Sequence, residues 1–193
     1  MNPVMNPVMN PVMHPVTKMQ KRPIIIFSTI TGNGYKIACA AAEGMPCDYL
    51  GPYNIRYVNQ EVIDRFDTFV LTYWCNHGTA DDDTIELIGK LKNKNLIILG
   101  TLGAPADSAH AAKVRENVRT LAGRDNALIA QYLCVGSIDL KRTFERTKIP
   151  FGEKGHLPME RFERQKLTQG HPDKEELAAA AETVRKAIGE LMQ

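Results

Sequence analysis

Phe27-Ser28-Thr29-Ile30-Thr31-Gly32-Asn33-Gly34-Tyr35-Lys36 is the stretch on which the fold turns. It leaves a continuous apolar run, 24–28, and enters a segment of helical spacing, 35–43, that Gly44 and Pro46 stop. Three hydroxyls, an Asn amide and two glycines therefore meet the first free N–H groups of a helix. Such an end carries roughly half a positive charge and several unpaired donors, a combination suited to a phosphate group. Lys36 adds screening charge nearby. Two readings stand at this point: a phosphate site, or a plain strand-to-helix turn capped by Thr31. Competing motifs fail. The G-x-G-x-x-G fingerprint would need glycine or alanine where Ile37 stands, and the Gly-Lys-Ser/Thr of a Walker loop is absent.

Working outward, the pattern from Pro23 alternates strand and helix. After an irregular section, 47–66, with a short edge strand near Tyr49 and a short helix, a buried strand is expected over 68–74 and a polar loop from there to Asp81. Helical spacing of Ile85, Ile88 and Leu91 predicts a helix over 82–92. Strands follow at 96–100 and 126–135, separated by a helix over 108–122 with Val114, Val118 and Leu121 inward. Residues 136–170 are rich in proline, glycine and charge and read as irregular, before an amphipathic helix over 173–192. Near-continuous apolar strands separated by helices mean a parallel sheet covered on both faces, an α/β fold. Right-handed crossovers put every strand-to-helix turn on one sheet edge, where ligand-binding residues of open α/β sheets collect. Those turns are 29–34, 74–80 and 101–106.

The 193 residues suit one domain, 23–193. No apolar run approaches the roughly 20 residues that span a bilayer, so the chain reads as soluble and away from the membrane. Cys39, Cys47, Cys75 and Cys134 form neither a disulfide framework nor metal-finger spacing, and with no signal peptide evident the expectation is a reducing cytoplasm. Cys134 falls in an apolar strand pattern and reads as inert core; Cys75, assigned to a loop, is the one that merits attention. His77, His110, His156 and His171 match no ligand spacing, and no metal site is expected. The net charge of +2 is uneven: residues 23–140 hold 10 basic and 13 acidic residues, residues 141–166 eight basic and four acidic. A basic stretch can steer an acidic partner or nucleic acid, but the simpler reading is a solvated face, and no aromatic interleaving suggests nucleic acid. Residues 1–16 repeat Met-Asn-Pro-Val four times, with His14 the one exception. A proline every fourth residue blocks helix formation, so residues 1–22 are expected to form a disordered or extended tail.

Thr29-Ile30-Thr31-Gly32-Asn33 resembles the T/S-x-T-G-N loop with which flavodoxins wrap the phosphate of FMN. Tyr73-Trp74-Cys75-Asn76-His77-Gly78-Thr79-Ala80-Asp81 and Gly100-Thr101-Leu102-Gly103-Ala104, followed by Ser108-Ala109-His110-Ala111, are similar to a flavodoxin subgroup of anaerobic bacteria. The stretch from Gly155-His156-Leu157-Pro158 to His171-Pro172 fits the same subgroup, so the resemblance covers about residues 23–190. The flavodoxin fold is itself one that obeys the sheet-edge rule. One position departs: flavodoxins usually carry a third hydroxyl where this chain has Gly34, leaving only a backbone N–H there. The charge balance departs too, since typical flavodoxins are strongly acidic throughout.

The resemblance implies a flavodoxin-like three-layer sandwich with a five-stranded parallel sheet of order 2-1-3-4-5 and one non-covalent FMN. Its phosphate would lie at residues 28–35 and its ring between the second and third edge loops. Trp74 falls where flavodoxins stack an aromatic on the ring, worth roughly 0.5–1.5 kcal/mol beyond area burial. Tyr73, pointing the opposite way, is core or a secondary contact. Backbone groups of Cys75, Asn76, His77 and Gly78 would face the flavin edge that gains a proton on one-electron reduction, and Gly78 gives that loop freedom. Small residues and free N–H groups at Thr101, Leu102, Gly103 and Ala104 suit the pyrimidine carbonyls. Asp81-Asp82-Asp83 reads first as a helix cap and second as negative charge that disfavours the reduced anion. The function implied is electron carriage between redox proteins. The alternative is an FMN-dependent NAD(P)H or quinone reductase, which would oxidise NADPH unaided. No constellation for acid–base or nucleophilic catalysis appears, which favours the carrier. Reductases are the implied partners, including flavin- and iron–sulfur-containing tetrapyrrole reductases.

Overall fold

A computed structural model describes residues 22–193; the repeat expected to form a tail lies outside the described residues. The elements run β1 (Ile24–Phe27), α1 (Asn33–Glu43), β2 (Leu50–Asn54), a single tight helical turn Ile55–Tyr57, α2 (Gln60–Arg65), β3 (Thr68–Asn76), β4 (Thr79–Ala80), α3 (Asp82–Lys90), β5 (Asn95–Leu102), α4 (Ala109–Gly123), β6 (Ala127–Val135), α5 (Leu140–Thr147), α6 (Met159–Lys166) and α7 (Lys174–Leu191). Five parallel strands lie in the order β2-β1-β3-β5-β6, the expected 2-1-3-4-5 once β4 is set aside. β4 is a sixth strand of two residues, antiparallel to the end of β3.

Alternation along the strands sorts the core into two layers. Ile24, Ile26, Phe69, Leu71, Leu96 and Ile98 point to one face, where Leu87, Ile88, Val114 and Val118 of α3 and α4 cover them. Ile25, Val70, Ile97 and Leu99 point to the other, against Ile37 and Ala41 of α1 and Val184 and Ile188 of α7. Each such side chain taken fully out of water contributes about 1.5–3 kcal/mol, so burial on both faces holds the sandwich together. Helix starts are fixed by side-chain caps: Asn59 on α2, Asp81 on α3, Ser108 on α4, Asp139 on α5, and a reciprocal Asp173–Glu176 capping box on α7.

Strand registers set the heights of the edge loops. β1 ends with Phe27 beside Thr72, whereas β3 and β5 run on together until Trp74 lies beside Thr101. The first loop therefore starts about two residues lower than the second and third. Residues 136–170 are more regular than the sequence suggested, since two helices, α5 and α6, pack on each other there with Phe144 against Phe162 at 5.4 Å between ring centroids. Among the described residues no helix is long and apolar enough to cross a membrane.

Candidate functional site

The first edge loop is drawn tight by its own side chains. Ser28 N–H continues the ladder to the Thr72 carbonyl at 2.9 Å, and Gly32 N–H donates to Thr29 Oγ1 at 3.0 Å. Asn33 Nδ2 donates to Thr31 Oγ1 at 2.9 Å and to the Ser137 carbonyl at 2.8 Å, tying the loop to the chain beyond β6. Helix α1 starts two residues earlier than expected, with Gly32 at its N-cap in the left-handed region (φ 88°) and no side chain capping it. The turn capped by Thr31 is thus not what forms. The N–H groups of Asn33, Gly34 and Tyr35 have no acceptor within their helix, whereas five other helices carry side-chain caps. Thr29 and Thr31 accept a hydrogen bond each and still have their own protons to donate. Ser28 does not: its hydroxyl is given to Asp81 Oδ1 at 2.8 Å in a buried contact.

Gly34 replaces the family's usual third hydroxyl for a steric reason. A Cβ there would fall inside van der Waals contact of the Ser28 carbonyl oxygen. The Gly34 carbonyl accepts from Thr72 Oγ1 at 2.8 Å, so α1 begins pressed directly onto the sheet.

The segment expected to be a polar loop after Trp74 is a β-hairpin. β3 continues through Cys75 and Asn76, and Asn76 pairs with Thr79 across the two residues His77 and Gly78. Both have positive φ, 47° and 84°, as the turn that best matches strand twist requires. The Gly78 carbonyl accepts from Asn117 Nδ2 of α4 at 2.8 Å, so this turn is anchored rather than free. Asp81, 2% exposed, ends the hairpin and gathers four donors: Ser28 Oγ, Thr84 N–H at 3.2 Å, Thr84 Oγ1 at 2.9 Å and Trp74 N–H at 3.4 Å. It caps α3 and joins the first and second edge loops in one buried knot. Cys75 lies in the strand, not in a loop, and burial pushes its thiol up. Cys134, donating to the Gly100 carbonyl, is pushed up to about 12, first by burial and then by Glu176. Both thiols stay protonated at neutral pH, and neither is a ready nucleophile.

Two clefts flank the hairpin. The larger, about 910 Å³, has Cys75, His77 and Gly78 on one side and Leu102, Gly103 and Ala104 beside them. The smaller, about 180 Å³, is lined by Ser28, Thr29, Ile30, Trp74 and Asn76 with Asp81, Asp82 and Asp83. Trp74 therefore faces the first loop, while its neighbour Cys75 faces the third. Residues 31–35 line neither cleft, and Thr101 is buried. Tyr73 also lines neither: it is fully buried, its ring filling the space that a side chain at residue 100 would need. The reading of Tyr73 as a contact gives way to its reading as core. A Cβ at Gly103 would meet the end of the Ile138 side chain, which packs over it.

The far wall of the larger cleft was not legible as part of the site. Arg161, Arg164 and Leu167, at helical spacing along and just past α6, line it together with His171, and α4 adds His110 and Lys113. The signal was present as the excess of basic residues in 141–166. Among the described residues one trio, His171, Asp173 and Glu176, brings three potential metal-ligand atoms within 4.8 Å. Those atoms already serve the start of α7: Glu176 Oε2 accepts from Asp173 N–H and meets His171 Nδ1 at 2.6 Å, and Oε1 accepts from Val135 N–H.

Against this geometry, a family model described as the flavodoxin domain matches residues 24–185. A curated relative, the flavodoxin-like domain-containing protein BilS of Clostridioides difficile (strain CD3), is 23% identical over 167 residues, covering 83% of this chain and 92% of the relative. The solved flavodoxin of Fusobacterium nucleatum bound to flavin mononucleotide superposes with a TM-score of 0.53 at 10% identity, over 89% of this chain and 99% of that one. The Flv1 flavodiiron core of Synechocystis sp. PCC6803 superposes with a TM-score of 0.55 at 13% identity over 90% of this chain, which spans 36% of that larger protein. At such identities the two structures share the fold with this chain, and the match of the family model over most of its length places the chain in the flavodoxin domain family.

Proposed function

We propose that residues 23–193 form a flavodoxin-type carrier that binds one FMN non-covalently and passes electrons between redox proteins. The observation that carries this reading is the uncapped start of α1, set inside a loop of hydroxyls on the same sheet edge as a ligand-sized cleft. The donors fit a phosphate dianion without an arginine: the hydroxyls of Thr29 and Thr31 and the N–H groups of Asn33, Gly34 and Tyr35. The Asn33 side-chain amide shapes the loop through Thr31 and Ser137 rather than donating to the ligand. Backbone groups of Thr101, Leu102, Gly103 and Ala104 and of Cys75, Asn76, His77 and Gly78 would orient the ring in the larger cleft, whereas Trp74 lines the smaller one and stands on the first-loop side of the hairpin. Ile30, exposed at the loop tip, adds apolar cover.

FMN, once bound, supplies the one- and two-electron chemistry. The protein's part is to hold the ring, exclude water from one side and leave an edge open to partners. Cys75, the cysteine that lines the cleft, offers no thiolate, which supports a carrier over an enzyme with its own covalent chemistry. The test is Thr31→Ala. It should weaken FMN at least about tenfold while changing riboflavin affinity little, because one charge-assisted hydrogen bond to the phosphate contributes about 1.5–3 kcal/mol. Equal losses for both flavins would place the phosphate elsewhere.

A further inference from the structure

The segment between β6 and α7 is a two-helix hairpin whose surface chemistry differs from the rest of the chain. Most of its cations are not neutralised locally. Glu145 pairs with Lys148 and Glu163 with Lys166. Lys141, Arg142, Arg146, Lys154, Arg161 and Arg164 form no ion pair among the described residues, and Asp139, Glu153 and Glu160 remain to oppose them. All six cations are exposed. Interspersed with them are large apolar side chains in water: Phe151 is 91% exposed and Leu167 80%, with Met159 and Phe144 also exposed. Lys148 and Lys166 lie over the rings of Phe144 and Phe162, which stiffens the surface before any partner arrives. Arginine, phenylalanine and methionine around a charged rim are the composition of a protein–protein contact.

Position adds to composition. Arg161, Arg164 and Leu167 form the wall of the larger cleft opposite the hairpin turn and the third edge loop. A molecule seated on this surface therefore sits across the cleft mouth. Residues 23–140 carry more acidic than basic groups, so the attraction is directional: an acidic partner is drawn to the α5–α6 face and pushed from residues 23–140.

We propose that the α5–α6 hairpin is the docking surface for an acidic redox protein, one whose carboxylates surround its own redox centre. This names the partner class for the carrier proposed above and rests on that reading. The occupant is a protein rather than a small anion because the cations spread along the whole hairpin instead of converging on a point, and because exposed apolar side chains are interleaved with them.

The test uses the full chain with FMN added and two probes, an acidic [2Fe–2S] ferredoxin and the basic cytochrome c. Association rates are measured at ionic strengths of about 20 and 200 mM, which bracket the range where surface charges become screened. Ferredoxin should associate and slow about tenfold or more across that range, and cytochrome c should not bind. Arg142→Glu/Lys154→Glu should slow ferredoxin about tenfold at low salt, Phe151→Ser should speed its dissociation, and Arg124→Glu, past the end of α4 at the opposite sheet edge, should change neither. No ferredoxin association, equal slowing by Arg124→Glu, or tighter binding of phosphatidylglycerol vesicles or duplex DNA would overturn the proposal. A parallel FMN fluorescence titration separates the two readings, because a docking failure leaves flavin quenching intact.

Discussion

Gly34 shows how one residue departs from a family pattern without departing from its geometry. The hydroxyl usual at that position needs a Cβ, and here the Ser28 carbonyl oxygen occupies that space. Gly34→Ser should therefore lower stability by about 1–3 kcal/mol in urea unfolding, the cost of overpacking, and not strengthen FMN. A variant as stable as the parent would show that the loop can step away from the sheet. Asp81 is the second decisive residue. Asp81→Ala removes the acceptor for Ser28 and for Thr84, and each buried donor left without a partner costs about 1–3 kcal/mol. Asp81→Asn keeps one oxygen and should lose clearly less; equal losses in urea unfolding would mean the knot contributes nothing specific. Sequence reading reached the cap but not the knot, because the Ser28 contact joins residues 53 apart.

At the scale of elements, the β3–β4 hairpin is the feature most open to test. Space around Gly78 is open, so substitution there costs only the strain of its positive φ. Gly78→Asn should be tolerated within about 1 kcal/mol, whereas Gly78→Val should cost about 2 kcal/mol or more and loosen the Asn117 contact. Equal stability of the two variants would mean that the turn does not hold this conformation. The strands, the helices α1, α3, α4 and α7 and their order were legible because hydrophobic periodicity reports burial on two faces. The hairpin was not: it has only two residues on its return strand, too few for alternation to register. Helices α5 and α6 escaped for the opposite reason. They are short and dominated by charge, with only Leu140 and Phe144 in one and Met159 and Phe162 in the other to mark an apolar side, although Asp139 is a recognisable cap.

For the whole molecule, one sheet edge concentrates the polar chemistry while the body behind it is packed on both faces. The sequence placed the first strand-to-helix loop and the two neighbouring turns on that edge, and the strand registers bring Trp74 and Thr101 together there. The residues of 161–171 that wall the cleft lie far along the chain from those turns, and only folding brings them to the same edge. The central claim is that this edge grips FMN by its phosphate and its ring together. Titrating the flavin-free protein into FMN while following flavin fluorescence tests it most directly. The account predicts saturable quenching at one flavin per chain, with riboflavin bound much more weakly. A preparation that stays colourless and leaves flavin fluorescence unchanged at every protein concentration would contradict it.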